Sequence, residues 1–250
     1  MSNVSKLGEE LDRLMKSRTP SIGIKFFETI DAIPDEFEVL KDDVMVCQVI
    51  GMARYNESAV AATKDSATAC AMGGVSIGLY GPPGNMVDGT RNSGAWAADA
   101  EAAKKLMEGR VLIDEGKFEA FGVSPLKNMS IKPDVVQVFG TPEQMLAMVY
   151  ANIWDGGDKL ELSTNGHGGS CNEVLSVPYV TGKVRLALTD IGEKRHAGAQ
   201  DEMIIGIPFP QLDRLVENLK KAFGAIYKYP FKPYFAPVPE AVLQRVSTKY

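Results

Sequence analysis

The sequence predicts a mixed α/β or α+β protein, a single compact unit in which helices flank a mixed central sheet. Three observations carry that prediction. Short runs rich in β-branched and aromatic residues alternate with segments of helical period, bounded by turn residues. The stretch from Asp134 to Trp154 reads as strand, turn and helix, the unit of α/β folds. The composition, 45% hydrophobic and 24% charged over 250 residues, is that of a globular chain with a sizeable core.

The elements follow in order. Leu7, Leu11, Leu14 and Met15 share one face of an opening helix, which ends at Ser17-Arg18-Thr19-Pro20 because the residue before a proline resists helical geometry. Ser21 to Phe27 reads as a buried strand with Lys25 as its single charge. Asp42-Asp43 would cap a helix through Val46, Cys47, Ile50 and Met52. Ala59 to Thr63 is a candidate strand, and Asp65-Ser66 would start a helix through Ala67 to Ile77. Gly81-Pro82-Pro83-Gly84 is a rigid turn in a loop running to Ser93, and Ala95 to Met107 has strong helix propensity, with Trp96 near its start.

Strands are expected at Ala120–Ser124 and Asp134–Phe139. Thr141-Pro142-Glu143-Gln144 then combines a cap residue, a first-turn proline and a Gln three residues after the cap. That helix should run to about Trp154 and stop at Gly156-Gly157. Leu160–Thr164 is a strand feeding the loop Asn165-Gly166-His167-Gly168-Gly169-Ser170-Cys171. Lys183–Thr189 and Met203–Ile207 read as further strands, and Leu212–Phe223 as an amphipathic helix. The aromatic and proline-rich tail, 227–250, is expected to wrap the surface of the one domain spanning 1–250. No internal repeat or linker is evident.

The charge balance excludes several functions. Twenty-seven basic against 32 acidic residues leave −5, with no long basic run, so nucleic acid is not the expected partner. No apolar stretch approaches the roughly 18 residues that span a bilayer. The polar opening segment, Met1 to Arg18, has the pattern of neither a signal peptide nor an anchor, so a cytoplasmic protein is expected.

Familiar catalytic signatures are missing. Gly73-Gly74-Val75-Ser76-Ile77-Gly78 lacks the spacing of a dinucleotide fingerprint, and Gly116-Lys117 and Gly182-Lys183 lack the rest of a phosphate-binding loop. Two histidines, His167 and His196, are too few for a three-histidine zinc site. The densest feature is the loop at 165–171: its glycines let backbone come close to a ligand and leave amides free to point at it, with His167 and Cys171 alongside. A tight chain reversal explains the same glycines.

Three cysteines make no disulfide scaffold. Cys47 and Cys70 fall at predicted helix starts, where free amides and the helix dipole favour a thiolate, and Cys171 lies in the glycine loop. Their wide spacing is that of neither a zinc ribbon nor a ferredoxin. Brought together, three thiolates would suit an iron–sulfur cluster with one iron open. Buried small hydrophobes are the plainer reading.

In combination, Ile22-Gly23-Ile24-Lys25-Phe26, Cys47-Gln48, Asp65 to Cys70, Lys132 to Val136, Gly140 to Gln144, Gly168 to Cys171, Asp201-Glu202-Met203 and Gly206-Ile207-Pro208 are specific. The chain resembles the domain-of-unknown-function 169 family of anaerobic bacteria and archaea over nearly its whole length. The resemblance implies that Cys47, Cys70 and Cys171 stand at the family's cysteine positions, and that the setting is an oxygen-poor cytoplasm. It also implies that the ligand some relatives supply before the final motif is absent, because Asp190 to Arg195 stands there.

The leading expectation is therefore an anaerobe's iron–sulfur protein. Cys47, Cys70 and Cys171 would hold a [4Fe–4S] cluster beside Gly168 and Gly169, with one iron open to a small-molecule, anionic substrate. Lys25, Arg54, His167 and Arg195 are the candidates to bind that anion or move protons; an edge-strand lysine, surface charges and a turn histidine are their plainer readings. Two alternatives stand beside this: a non-catalytic carrier of a metal, haem or cluster, and a metal-free small-molecule binder. The run Tyr227 to Phe235 could lie on a second copy of the chain, making a homo-oligomer.

Overall fold

The computed structural model describes residues 3–157, 159–196 and 200–225. Among them, one mixed sheet of eight strands runs in the order β2-β3-β4-β1-β5-β8-β7-β6. The strands are β1 Ile22–Phe27, β2 Glu38–Val39, β3 Val60–Thr63, β4 Ala120–Pro125, β5 Val135–Gly140, β6 Glu161–Leu162, β7 Arg185–Leu188 and β8 Met203–Pro208. The expected α/β architecture is what the chain forms. β1 lies at the centre rather than at an edge, which is why five of its six residues are buried.

Strand alternation assigns the faces. On one side Ile22, Ile24 and Phe26 pack beneath helix α2, Val46–Tyr55, and beneath a π-helix, Gly169–Ser176. On the other, Val136 and Val138 meet α1 (Asn3–Met15), α6 (Pro142–Ile153) and α9 (Phe209–Ala225). Full burial of one large side chain such as Phe121 or Phe139 is worth about 1.5–3 kcal/mol, so both faces contribute heavily to stability.

The two halves of the sheet repeat one another. Ile22 pairs with Pro125 as Val135 pairs with Pro208; Val60 pairs with Val123 as Arg185 pairs with Gly206; Glu38 pairs with Val60 as Glu161 pairs with Arg185. Between the halves, Gly23 faces Val136, flanked by the pairs Ile22–Gln137 and Ile24–Val135. Equivalent residues exchange places about that central pair, so a pseudo-two-fold axis passes through it, normal to the sheet. The expectation of a chain without internal repeat is thereby corrected. The repeat is a property of backbone register, and side-chain identity survives at few positions, Pro125 and Pro208 among them.

Local signals explain most boundaries. Thr141 and Gln144 cap α6 reciprocally: Thr141 N donates to Gln144 Oε1 (2.8 Å), and Gln144 N to Thr141 Oγ1 (3.4 Å). The cap of α2 is Met45, not Asp42-Asp43; Gln48 reaches back to accept from Met45 N at 2.8 Å. The helix expected from Asp65 is shorter, α3 Ala71–Ser76, because Thr63 and Ser66 tie the preceding residues into turns and leave Cys70 extended at the cap. Likewise the helix expected from Ala95 starts at α5, Ala100–Glu108, where the Asp99 side chain accepts from Ala102 N. Three short helices, α4 Gly84–Val87, α7 Val177–Thr181 and α8 Ile191–His196, follow no signal read from the sequence. The 227–250 tail and its expected surface or inter-subunit role lie outside the described residues.

Candidate functional site

Five chain segments, Trp96 being the contribution of one, meet at one cavity of about 190 Å³, many times the roughly 10–15 Å³ that admits a single water. The first turn of α2 brings Cys47, the cap of α3 brings Cys70, and the π-helix brings Cys171; α8 closes another side with Glu193 and Arg195. The three thiols, scattered in sequence, thus line one space. All three are free thiols. Among the described residues, no three His, Cys, Asp or Glu side chains close to metal-ligand distance in this arrangement.

The π-helix is what positions Cys171. Its wide turn adds a residue relative to an α-helix and leaves carbonyls without their usual partners. Gln137 of β5 fills that gap, donating from Nε2 to Ser170 O (2.7 Å) and Val174 O (3.3 Å). Gly206 of β8 permits the close approach, since a Cβ there would collide with Val174 O. Gly168, at φ +96°, makes the entry turn; a Cβ at this position would stand 3.0 Å from Arg110 Nη1 and 3.5 Å from Cys171 Sγ.

Two carboxylates hold the loop rather than facing solvent. Asp190 Oδ2 accepts from Gly168 N and, at 3.1 Å, from Gly169 N, while its Oδ1 accepts from Glu193 N at 2.9 Å. Glu193 accepts from Ser170 N through Oε1 and from Asp190 N through Oε2 (2.9 Å). The loop amides expected to point at a ligand are therefore taken: Gly168 and Gly169 donate to Asp190.

The electrostatics run opposite to the helix-start expectation. Burial pushes the Cys47 thiol up to about 12, with Glu193, Cys70 and Asp190 adding like-charge repulsion. Burial, again with Glu193 and the other two thiols, pushes Cys171 well above the usual thiol range. Glu193 itself is raised to about 7, by burial first and Asp190 second. Glu193, Asp190 and Cys70 thus all oppose ionisation of Cys47 and Cys171.

The sequence-derived candidates separate cleanly. His167 and Arg195 line the cavity with Gly168. His167 stacks on Trp96, rings 4.0 Å apart and 5° from parallel, and burial, followed by the charge of Arg110, lowers it to about 4. It is thus a neutral imidazole at pH 7, not an anion-binding cation. Lys25 lies away from the cavity: Ile24 and Phe26 turn to the site face, so Lys25 turns to the other and pairs with Asp134 at 3.0 Å. Arg54 is also elsewhere, buried rather than on the surface. It pairs with Glu202 at 2.7 Å, donates to Thr19 Oγ1 at 3.0 Å, and lies 3.6 Å over the Phe139 ring.

Sequence reasoning missed Arg110. The residue is 9% exposed, its Nε and Nη1 have no hydrogen-bond partner, and it sits against Gly168 and the Cys171 thiol. It also missed Glu193 as a clamp and Trp96 as the partner of His167. Only Trp96 carried a signal, as one of two tryptophans, near the start of a segment of strong helix propensity.

The fold and cavity define a class: a duplicated antiparallel-centred α/β protein with three thiols gathered on one face. The particular family follows from comparison. The family model DUF169, described as Uncharacterised ArCR, matches residues 10–218, and the chain belongs to that family. It is similar to the uncharacterized protein MJ0308 of Methanocaldococcus jannaschii, at 24% identity over 224 residues covering 88% of this chain and 95% of the relative. No solved structure matches. Among the described residues, no helix is long and apolar enough to cross a membrane.

Proposed function

We propose that this chain is a cytoplasmic iron–sulfur protein of an oxygen-poor cell, in which Cys47, Cys70 and Cys171 hold a [4Fe–4S] cluster with one iron open to a small anionic substrate. The observation that carries the reading is the convergence of three thiols from positions 47, 70 and 171 on one cavity. The donor set fits the group. Buried thiols beside two carboxylates are poor free nucleophiles, and a metal core is what makes them thiolates, because ligation expels their protons. Arg110 supports the same reading, as a buried guanidinium with unused donors behind Cys171 that offsets the charge of ligated thiolates.

Bound there, such a cluster supplies a Lewis-acidic iron in a mostly apolar cavity. The chain's own residues do the rest. Met45, Met72 and Trp96 exclude water, and Asp190 and Glu193 hold the Cys171 loop rigid. His167, neutral at pH 7, can hand a proton across at its ring nitrogens, and Arg195 offers a positive charge from the rim.

Anaerobic purification followed by iron and acid-labile sulfide analysis tests the proposal. About four irons and four sulfides per chain are expected, lost in each of Cys47→Ser, Cys70→Ser and Cys171→Ser. Metal-free protein whose triple-serine variant folds with unchanged stability would overturn it.

A further inference from the structure

A second cavity, sharing no lining residue with the first, lies at the β6 edge of the sheet and encloses about 590 Å³. That volume falls within the roughly 300–1,000 Å³ of small-molecule sites. The chain entering β6 and β7 brings Lys159, Lys183 and Arg185 to it, and the first turns of α9 bring Gln211 and Arg214.

Its charge is one-sided. Four cations line it against one carboxylate, Glu161. Arg214 is already engaged: it donates to Asp155 at 2.6 Å and to Asn152 O at 3.4 Å, at the C-terminal end of α6. Glu161 pairs with Arg185. Among the described residues, Lys159 and Lys183 have no carboxylate partner, and Arg185 keeps a buried Nε with nothing to donate to.

The duplicated frame supplies an internal control. Glu161 and Arg185 pair where Glu38 and Val60 pair in the first half. Two residues before each, Lys159 therefore answers to Glu36 and Lys183 to Ser58. The frame builds there without any of the three cations. Beside Ser58, Glu57 pairs with Lys127 at 2.7 Å, so that half answers its own lysine. In the second half the cations gather where the fold does not require them, and an anion between them relieves their repulsion.

We propose that this second cavity binds the phosphate group of a small organic molecule. The Arg185 fork suits two oxygens of a phosphate, and the lysines act as point charges on the others. A lone carboxylate, with one charge, leaves a lysine unanswered. Leu160 and Val184 line the remainder of the space and offer apolar surface to an organic portion. The site is separate from the thiol cavity, so it stands or falls apart from the iron–sulfur reading.

The test is isothermal titration calorimetry of the full chain in about 0.1 M KCl, with inorganic phosphate, glycerol 3-phosphate and acetate as probes. Both phosphates should bind and acetate should not; no heat from either phosphate at millimolar concentration overturns the proposal. Glycerol 3-phosphate should bind at least as tightly as phosphate, and weaker binding would assign the site to the free ion and overturn the organic portion. Lys159→Ala/Lys183→Ala should weaken binding at least about tenfold, with most of it restored in Lys159→Arg/Lys183→Arg. Arg185→Lys keeps the charge but loses Nε, and should weaken binding at least about threefold. Lys105→Ala, on α5 and outside the cavity, should bind as the wild type does. Equal weakening in that control, or none in the double alanine variant, would reduce the effect to general counter-ion attraction and overturn the site. Lys159 and Lys183 are exposed, so their substitution should leave folding intact, which urea melting verifies. Iron and sulfide content should not move in any of these variants.

Discussion

Replacing Glu193 by alanine should change not only stability but its dependence on pH. The Glu193 carboxyl is raised from 4.5 to about 7 in the fold, by burial and by Asp190. The folded chain therefore holds this proton more tightly than the unfolded chain between those values. Its contribution is fully present below pH 4.5 and is lost as pH rises to about 7. At ~1.36 kcal/mol per pH unit, the loss comes to about 3 kcal/mol. His167 acts with the opposite sign. Lowered from 6.5 to about 4, it makes the folded state bind fewer protons across that window, so its contribution grows as pH rises. In the wild type the two slopes oppose each other.

Glu193→Ala removes one of them and also strands Ser170 N and Asp190 N, at about 1–3 kcal/mol for each buried donor left unpaired. The assay is urea denaturation of metal-free protein from pH 4.5 to 8, wild type against variant. The variant should be the less stable at pH 4.5, with the gap narrowing by about 3 kcal/mol by pH 8. Its own stability should rise with pH as the His167 contribution is unmasked. Parallel curves, or a gap that widens with pH, would refute the reasoning.

Further outcomes follow from the same contacts. Arg54→Leu or Glu202→Leu alone should cost about 3–5 kcal/mol by stranding a buried charge, whereas the double variant should recover most of it. Iron content should not move in that double variant, and iron loss there would return Arg54 to the site. Gly168→Ala forces a positive φ on a residue with a Cβ, at about 1–2 kcal/mol, and presses that carbon on Arg110; a lower urea midpoint and reduced iron are expected together. Trp96→Ala exposes His167, so its titration, followed by imidazole proton resonances, should move from about 4 toward 6.5. No movement would mean that Trp96 is not what shields it.

The fold was legible wherever local chemistry decides structure. The Thr141–Gln144 cap, the proline stop at Pro20 and the apolar runs of β1, β4, β5 and β8 placed their elements within a few residues. Cys47, Cys70 and Cys171 each stand at a loop or a helix start, which lets them converge, but their spacing alone does not show that they do. Three things were not legible. Arg110 and Glu193 act through partners distant in sequence, and a single charged residue carries no mark of burial. The direction of the thiol shifts depends on how deeply the cavity is closed, which periodicity does not report. Lys25 and Arg54 looked alike as charges near apolar runs, yet strand alternation sent one to the opposite face and a buried carboxylate claimed the other.

Duplication has a consequence for direction. A pocket on a perfect two-fold axis presents identical chemistry to both ends of whatever enters, so an asymmetric guest could settle either way round with equal energy. Half of its encounters would then be the wrong way round. With both halves carried on one polypeptide, each corner is encoded separately and is free to differ. Cys47 on an α-helix at one side and Cys171 on a π-helix at the other give the chamber a front and a back.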